Sequence, residues 1–225
     1  MKYIILILTT ITISCNKNEN IQSCGETVTD IDGNTYKTIS IGSQCWMVEN
    51  LKTTRFNDGT NILEIKDIND WHDNFHDNDK SAAWCVYQNN SALSNNYGKL
   101  YNWYAVKSGK LAPKGWHIPT DEEWTILINH LGGEDSAGAK MKSTTGWIAS
   151  PGITNTNSSG FSAVAAGFRN NLGDFNWAGT NTFFWSSTPD ENNSAWIRQF
   201  ARNNQLAFRN QADNYNGLSV RCIKD

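Results

Sequence analysis

Apolar and polar positions alternate differently along this chain, and the alternation predicts its elements. Residues 28–41 read as two strand-length runs around Asp32-Gly33. Asp-Gly supplies the positive φ angles of a tight hairpin turn. In the second run Ile39 and Ile41 share one face, with Tyr36, Thr38 and Ser40 on the other. Residues 66–80 are polar and acidic with little periodicity, which predicts a loop. Over residues 97–106, Leu100, Trp103 and Tyr104 recur at i, i+3 and i+4, which predicts a helix. A clearer helix starts at Asp121. Thr120 is placed to cap it, Glu123 to complete a capping box, and Asp121 and Glu122 suit the positive end of its dipole. Trp124, Leu127, Ile128 and Leu131 form its apolar stripe, and Gly132-Gly133 ends it. Residues 137–142 predict a short second helix. Beyond Ser143, strand-sized runs at 161–168, 183–187, 195–201, 205–209 and 218–223 are separated by Gly, Asn and Ser. They predict an antiparallel sheet with long loops, and an α+β fold class.

The chain opens with another pattern. Lys2 precedes an apolar run from Ile4 to Ile13, and Ser14 stands directly before Cys15. Basic start, short apolar stretch, small residue and cysteine are the order of a secretory signal cut to leave a lipidated cysteine, as in bacterial lipoproteins. The run is about half the ~20 apolar residues that a membrane-spanning helix needs. Thr12 stands where such signals usually have an aliphatic residue. The expectation is a signal over residues 1–14, then lipidated Cys15 with a polar spacer to residue 26, and a single domain over 27–225. The spacer reaches at most ~40 Å. Such a protein is anchored by lipid in the cell envelope, at the outer membrane and exposed at the cell surface.

Composition narrows the functional classes. The formal net charge is −3 and no basic stretch occurs, which argues against a nucleic-acid partner held by phosphate contacts. Ten Trp, seven Tyr and nine Phe supply large areas to bury, while Gly and Asn support irregular loops. With Cys15 taken by lipid, Cys24, Cys45, Cys85 and Cys222 remain. In an exported chain an even number suggests disulfides, and the spacing does not choose among the three pairings. Cys24–Cys45 would close a short loop around the first hairpin. Cys85–Cys222 would join the middle of the chain to its end. No two are close enough for a zinc knuckle or a redox CxxC pair.

Several ordered stretches carry a family resemblance. They are Val28-Thr-Asp-Ile-Asp-Gly-Asn-Thr-Tyr36, Ile41-Gly-Ser-Gln-Cys-Trp-Met-Val-Glu-Asn-Leu51 and Tyr97-Gly-Lys-Leu-Tyr-Asn-Trp-Tyr104. Pro113-Lys-Gly-Trp-His-Ile-Pro-Thr-Asp-Glu-Glu-Trp124, Trp185-Ser-Ser-Thr188 and Gly217-Leu-Ser-Val-Arg-Cys222 complete the set. The chain resembles the Fibrobacter succinogenes major paralogous domain, found in exported proteins and lipoproteins of Bacteroidetes and Fibrobacteres. That family is similar in turn to the C-type lectin-like fold, which it shares with formylglycine-generating enzymes. The resemblance implies two main helices flanking a small, irregular antiparallel sheet, with long loops on one side. Family members often have Cys before the Pro-x-Gly-Trp-His segment, where this chain has Ala112. The resemblance therefore leaves Cys222 without that partner. The nearby cysteine pair that binds copper in formylglycine-generating enzymes is also missing, so that activity does not carry over.

Three chemistries remain to weigh. No Gly-x-Ser-x-Gly elbow, phosphate-binding Gly loop or dinucleotide fingerprint occurs, so no catalytic residue is assigned. The enzyme reading left is a hydrolase built on two carboxylates, with no pair singled out. Asp70, Asp73, Asp77 and Asp79, with His72 and His76, offer ligands for calcium in a loop or for zinc on a helix. The plainer reading is a solvated acidic loop. The lectin-like resemblance favours calcium over zinc, although the Glu-Pro-Asn and Gln-Pro-Asp signatures of sugar-binding calcium sites are absent. No cofactor is required. Sugars are held by stacking on flat aromatic faces, with amides and arginine on the hydroxyls. Trp177 and Trp196, with Arg169, Asn170, Asn192 and Arg198, form that candidate set. Trp177, among Asn, Gly and Ala, is the surface candidate, and Trp46, Trp116, Trp124 and Trp185 are assigned to the core. The function expected is a lipid-anchored binding module for a surface glycan or an envelope protein. The alternative is a structural or assembly protein of the envelope.

Overall fold

The computed structural model describes residues 24–76 and 80–225. The expected signal, Cys15, most of the spacer, Asp77 and Asp79 lie outside them. Strands β1 (Thr27–Thr29), β2 (Thr35–Ile41), β3 (Gln44–Met47) and β4 (Leu63–Glu64) precede helix α1 (Ile68–His76). Next come β5 (Ala83–Cys85), α2 (Ser94–Tyr97), β6 (Leu100–Tyr101), α3 (Trp103–Lys107) and β7 (Trp116–His117). Helices α4 (Asp121–His130) and α5 (Glu134–Met141) follow. The remainder is strands: β8 (Phe168–Arg169), β9 (Phe175–Asn176), β10 (Asn181–Pro189), β11 (Ser194–Ala201), β12 (Phe208–Asp213) and β13 (Ile223–Lys224). The architecture is mixed α and β, with more strands than helices.

One antiparallel sheet has the order β1-β2-β3-β13-β7, so Ile223 pairs with both Trp46 and His117. The β1–β2 hairpin forms where Asp32-Gly33 predicts it. The Asp30 carboxylate accepts from the backbone of Asp32 and Asn34 and from the Tyr36 hydroxyl at 2.5 Å. A second sheet, β10-β11-β12, runs from Asn181↔Ala201 to Trp185↔Ile197 on one side of β11 and from Gln199↔Phe208 to Ser194↔Asp213 on the other. Helix α4 starts as its sequence requires: Thr120 Oγ1 accepts from the Glu123 backbone at 3.2 Å, and Glu123 Oε2 accepts from Thr120 N at 2.8 Å. The second predicted helix is α5, beginning three residues earlier than the pattern suggested.

Several segments differ from their pattern; of the runs 205–209 and 218–223, only residues 208–209 and Ile223 lie in strands. Residues 97–106 are not one helix. Gly98 has φ +73°, and a Cβ there would stand 2.6 Å from the Asn50 side chain, so the chain turns sharply against residues 50–51. Leu100 and Tyr101 then pair with β5, and α3 begins afresh at Asn102, whose side chain accepts from Ala105 N at 3.1 Å. Residues 66–80 contain α1, capped by Asp67 Oδ1 accepting from Asn69 N at 2.7 Å. Polar composition hid a helix in which Trp71 is buried. Residues 161–168 make isolated bridges at Ala163 and Gly167, and only Phe168 enters a strand.

The buried residues form three clusters. Trp46, Trp124, Phe161, Phe184 and Phe200 anchor one, with the Trp46 and Trp124 rings 4.8 Å apart. Tyr36, Met47, Tyr101, Trp103, Trp185 and Cys222 anchor another, and Ile65, Trp71, Cys85 and Tyr87 the third. Full burial of side chains this large is worth ~2–3 kcal/mol each. Phe184 and Trp185 are consecutive, so they point to opposite faces of β10. On one face Trp103 of α3 donates to the Ser186 carbonyl, and on the other Trp124 of α4 donates to the Trp185 carbonyl. Trp116, assigned to the core from sequence, is only half-buried. Arg221 is wholly buried and donates to the Met47 and Phe161 carbonyls and to Asn50 Oδ1. Burial lowers its pKa to about 9.

Candidate functional site

Trp177 stands in the short loop between β9 and β10 with φ +65°. The other non-glycine residues at positive φ, among those described, are Gln88, Asn89, Asn157, Ser162, Asn192 and Asn193, all polar. A bulky aromatic in this conformation is an outlier that costs ~1–3 kcal/mol, and the surroundings must impose it. They do so through three donors to the Trp177 carbonyl: Thr180 N at 3.0 Å, Thr180 Oγ1 at 2.9 Å and Asn181 N at 2.9 Å. Behind the loop, a Cβ on Gly167 would stand 2.4 Å from the Asn176 carbonyl oxygen, so only glycine lets the backbones approach this closely. The Trp177 ring packs on Phe168 at 5.2 Å and Phe183 at 5.8 Å between centroids. Yet 53% of Trp177 remains exposed. It is a rigid aromatic platform open to solvent.

The facing wall is the loop between β11 and β12, and α5 holds it. A Cβ on Gly138 would stand 2.2 Å from the Leu206 carbonyl oxygen, so the loop lies directly on the helix backbone. One turn further, Lys142 is wholly buried and donates to the Ala201 carbonyl at 2.8 Å and the Asn204 carbonyl at 2.6 Å. Burial pushes its pKa down to about 8. Arg202 N donates to the Thr180 carbonyl at 2.8 Å, which joins this loop to that of Trp177. Between them lies an open concavity of about 420 Å³, lined by Trp177 and Phe208, by Asn181, Gln199 and Asn203, and by Arg202. Its size falls within the range of small-molecule sites.

The model of the Fibrobacter succinogenes major domain matches residues 39–224 of this chain. The chain belongs to that family. No curated protein and no solved structure matches it. The whole concavity lies inside the matched segment of this Fibrobacter succinogenes major domain.

Of the six ligand candidates read from sequence, only Trp177 lines the concavity. Arg169 and Arg198 are corrected to structural roles, because their guanidinium groups are buried and bond acceptors of the protein itself. Arg169 donates to the carbonyls of Gly173, Ile65, Lys66 and Asp67, between the rings of Trp71 and Phe175. Arg198 pairs with Asp121 Oδ1 at 2.5 Å and donates to Thr125. Arg209 binds the other oxygen of Asp121 at 2.9 Å and stacks on Trp196 at 3.2 Å, which covers a face of that ring. Asn170 closes the β8–β9 turn, its Oδ1 accepting from Asp174 N at 2.8 Å. Asn192 sits exposed in the β10–β11 turn at φ +62°. Arg202, Gln199 and Phe208 escaped the sequence reading. The one signal pointing to them was the amide-rich Arg202-Asn-Asn-Gln205 between two strand patterns.

The cysteines divide. Cys24 and Cys45 form a disulfide. Cys85 and Cys222 are free and buried in different clusters, so the Cys85–Cys222 bridge does not form. Ala112 shares a cluster with Cys222. Asp70 is exposed in the first turn of α1, with Asp73 further along that helix. Among the described residues no group of three His, Cys, Asp or Glu is arranged to hold a metal ion, and no helix is long and apolar enough to cross a membrane.

A second polar constellation lies at the β7–α4 junction. His117 Nδ1 is 2.7 Å from Asp225 Oδ1, and Nε2 is 2.9 Å from Glu123 Oε1. The hydrogen bond to Glu123, with that to Asp225 and despite partial burial, raises the His117 pKa to about 9. Both ring nitrogens are occupied by carboxylates, so the imidazolium acts as a clamp between strand and helix.

Proposed function

We propose that this protein is a lipid-anchored envelope protein whose domain binds a glycan in the concavity beside Trp177, on a C-type lectin-like fold. Trp177 carries the reading. A large aromatic ring that is half exposed, and held on a strained backbone by three hydrogen bonds and two packed rings, suits the stacking face of a sugar. Amides at Asn181, Gln199 and Asn203 offer donors and acceptors for hydroxyl groups. Among the described residues no carboxylate lines this site, so we place no calcium in it. The lectin-like layout is supported by α3 and α4 packing on opposite faces of β10, and by β13 joining the first sheet.

The test is a glycan-panel screen on the full-length protein, with and without EDTA. Saturable binding to one sugar class, lost in Trp177→Ala and kept in EDTA, is expected. Absence of binding across the panel overturns the glycan reading.

A further inference from the structure

We propose that the Trp177 concavity selects a carboxylate-bearing, acidic sugar, with Arg202 as the group that receives the carboxylate. This rests on the glycan reading above and adds the charge of the ligand. Among the described residues Arg202 is the only charged residue lining the concavity, and no Asp or Glu lines it. Among the described residues its guanidinium has no hydrogen-bond or ion-pair partner. Other arginines of the chain are consumed: Arg55 pairs with Asp32, Arg198 and Arg209 with Asp121, and Arg169 and Arg221 are filled with carbonyl oxygens. A second cation lies behind the same loop. Lys142 is buried against the carbonyls of Ala201 and Asn204 and over the ring of Trp147, with no carboxylate among these partners. The loop that carries Arg202 therefore has two positive charges and no built-in anion, in a protein whose overall charge is −3.

Geometry restricts where a ligand carboxylate would sit. Arg202 N is bonded to the Thr180 carbonyl, three residues from Trp177, so the guanidinium and the indole belong to joined loops. A pyranose stacked on the indole brings its ring substituents toward the opposite loop. A guanidinium matches a carboxylate with two parallel hydrogen bonds, which an ammonium cannot reproduce and a neutral hydroxymethyl cannot accept with comparable strength.

The experiment compares matched ligands on the full-length protein: trigalacturonic acid and sialyllactose, each against its carboxyl-reduced counterpart, by calorimetry. Carboxyl reduction of the sugar that binds is expected to weaken it about tenfold or more. Arg202→Gln is expected to remove that difference, and Arg202→Lys to restore part of it. Among the described residues the Arg202 side chain has no partner, so the melting temperature of these variants stays that of the parent. Equal binding of an acid and its reduced form, lost in Trp177→Ala, overturns this inference and leaves the glycan reading standing. Binding of the acid that survives Arg202→Gln unchanged also overturns it. Binding by no sugar of a broad neutral and acidic panel overturns both.

Discussion

Lys142 Nζ donates to the Ala201 carbonyl at 2.8 Å from a side chain with no exposed surface. A buried ammonium without a counter-ion is costly, and here it serves two carbonyls at the root of the β11–β12 loop. Lys142→Met keeps the length of the side chain and removes the donors. The variant is expected to lose ~1–3 kcal/mol, because two buried acceptors lose their partner. Hydrogen exchange at the Arg202 amide, bonded to Thr180, should accelerate more than exchange in α4. Unchanged exchange at Arg202 would show that the loop does not depend on the lysine.

The backbone of Trp177 can be tested apart from its ring. Asn tolerates the left-handed region, whereas a β-branched residue is strained there. Trp177→Asn and Trp177→Val both lose the packing on Phe168 and Phe183. The Val variant is expected to be ~1–2 kcal/mol less stable than the Asn variant in chemical denaturation. Equal stabilities would mean that the loop relaxes out of its positive φ without cost.

Part of this fold and site is legible in the amino-acid sequence. Thr120 with Glu123, and Asp32-Gly33, are local signals whose meaning depends on few distant residues, and both elements form where they predict. Trp177 stood out because its sequence neighbours are small or polar, and it is exposed. The errors share a different cause. Arg169 and Arg198 lie beside Asn and Trp in sequence, but partners that bury them, Asp121 and Ile65–Asp67, are 77 or more residues away. Leu100 has helical spacing to Trp103 and Tyr104, but it is claimed by the β5 ladder. Lys142 read as the end of a short helix, and nothing local announces that the β11–β12 loop folds onto it.

The Cys24–Cys45 disulfide gives a separate prediction. Cys24 and Cys45 are 21 residues apart. Loop-closure entropy for that separation is worth ~3 kcal/mol, and the Cys24→Ser, Cys45→Ser double variant should lose about that much in denaturant titration. Cys85 and Cys222 are both fully buried, and burial pushes the Cys85 thiol up to about 12 and the Cys222 thiol well above its ordinary value. Thiol reagents act through the thiolate. Neither residue should be labelled in the native protein by peptide mass mapping, and both should be labelled in denaturant. Rapid native labelling of Cys222 would contradict the cluster described.

The His117 clamp predicts a pH dependence whose sign follows from its partners. Its folded pKa is raised from 6.5 to about 9, so the folded state holds a proton that the unfolded chain has already released. The stabilisation is complete below pH 6.5 and is lost as pH rises toward 9. Glu123 is held below its ordinary 4.5: burial opposes this, and the hydrogen bonds from His117 and Thr120 prevail. Its contribution is present above pH 4.5 and fades in acid, which leaves the clamp strongest between those two limits. Lys142 works in the other direction, because its folded pKa lies below its ordinary 10.5 and stability is regained from about pH 8 upward. Only the difference between parent and His117→Gln therefore isolates the clamp. That difference should shrink steadily between pH 6.5 and 9 in urea titrations. A constant difference across that interval would mean that His117 does not hold its proton between the two carboxylates.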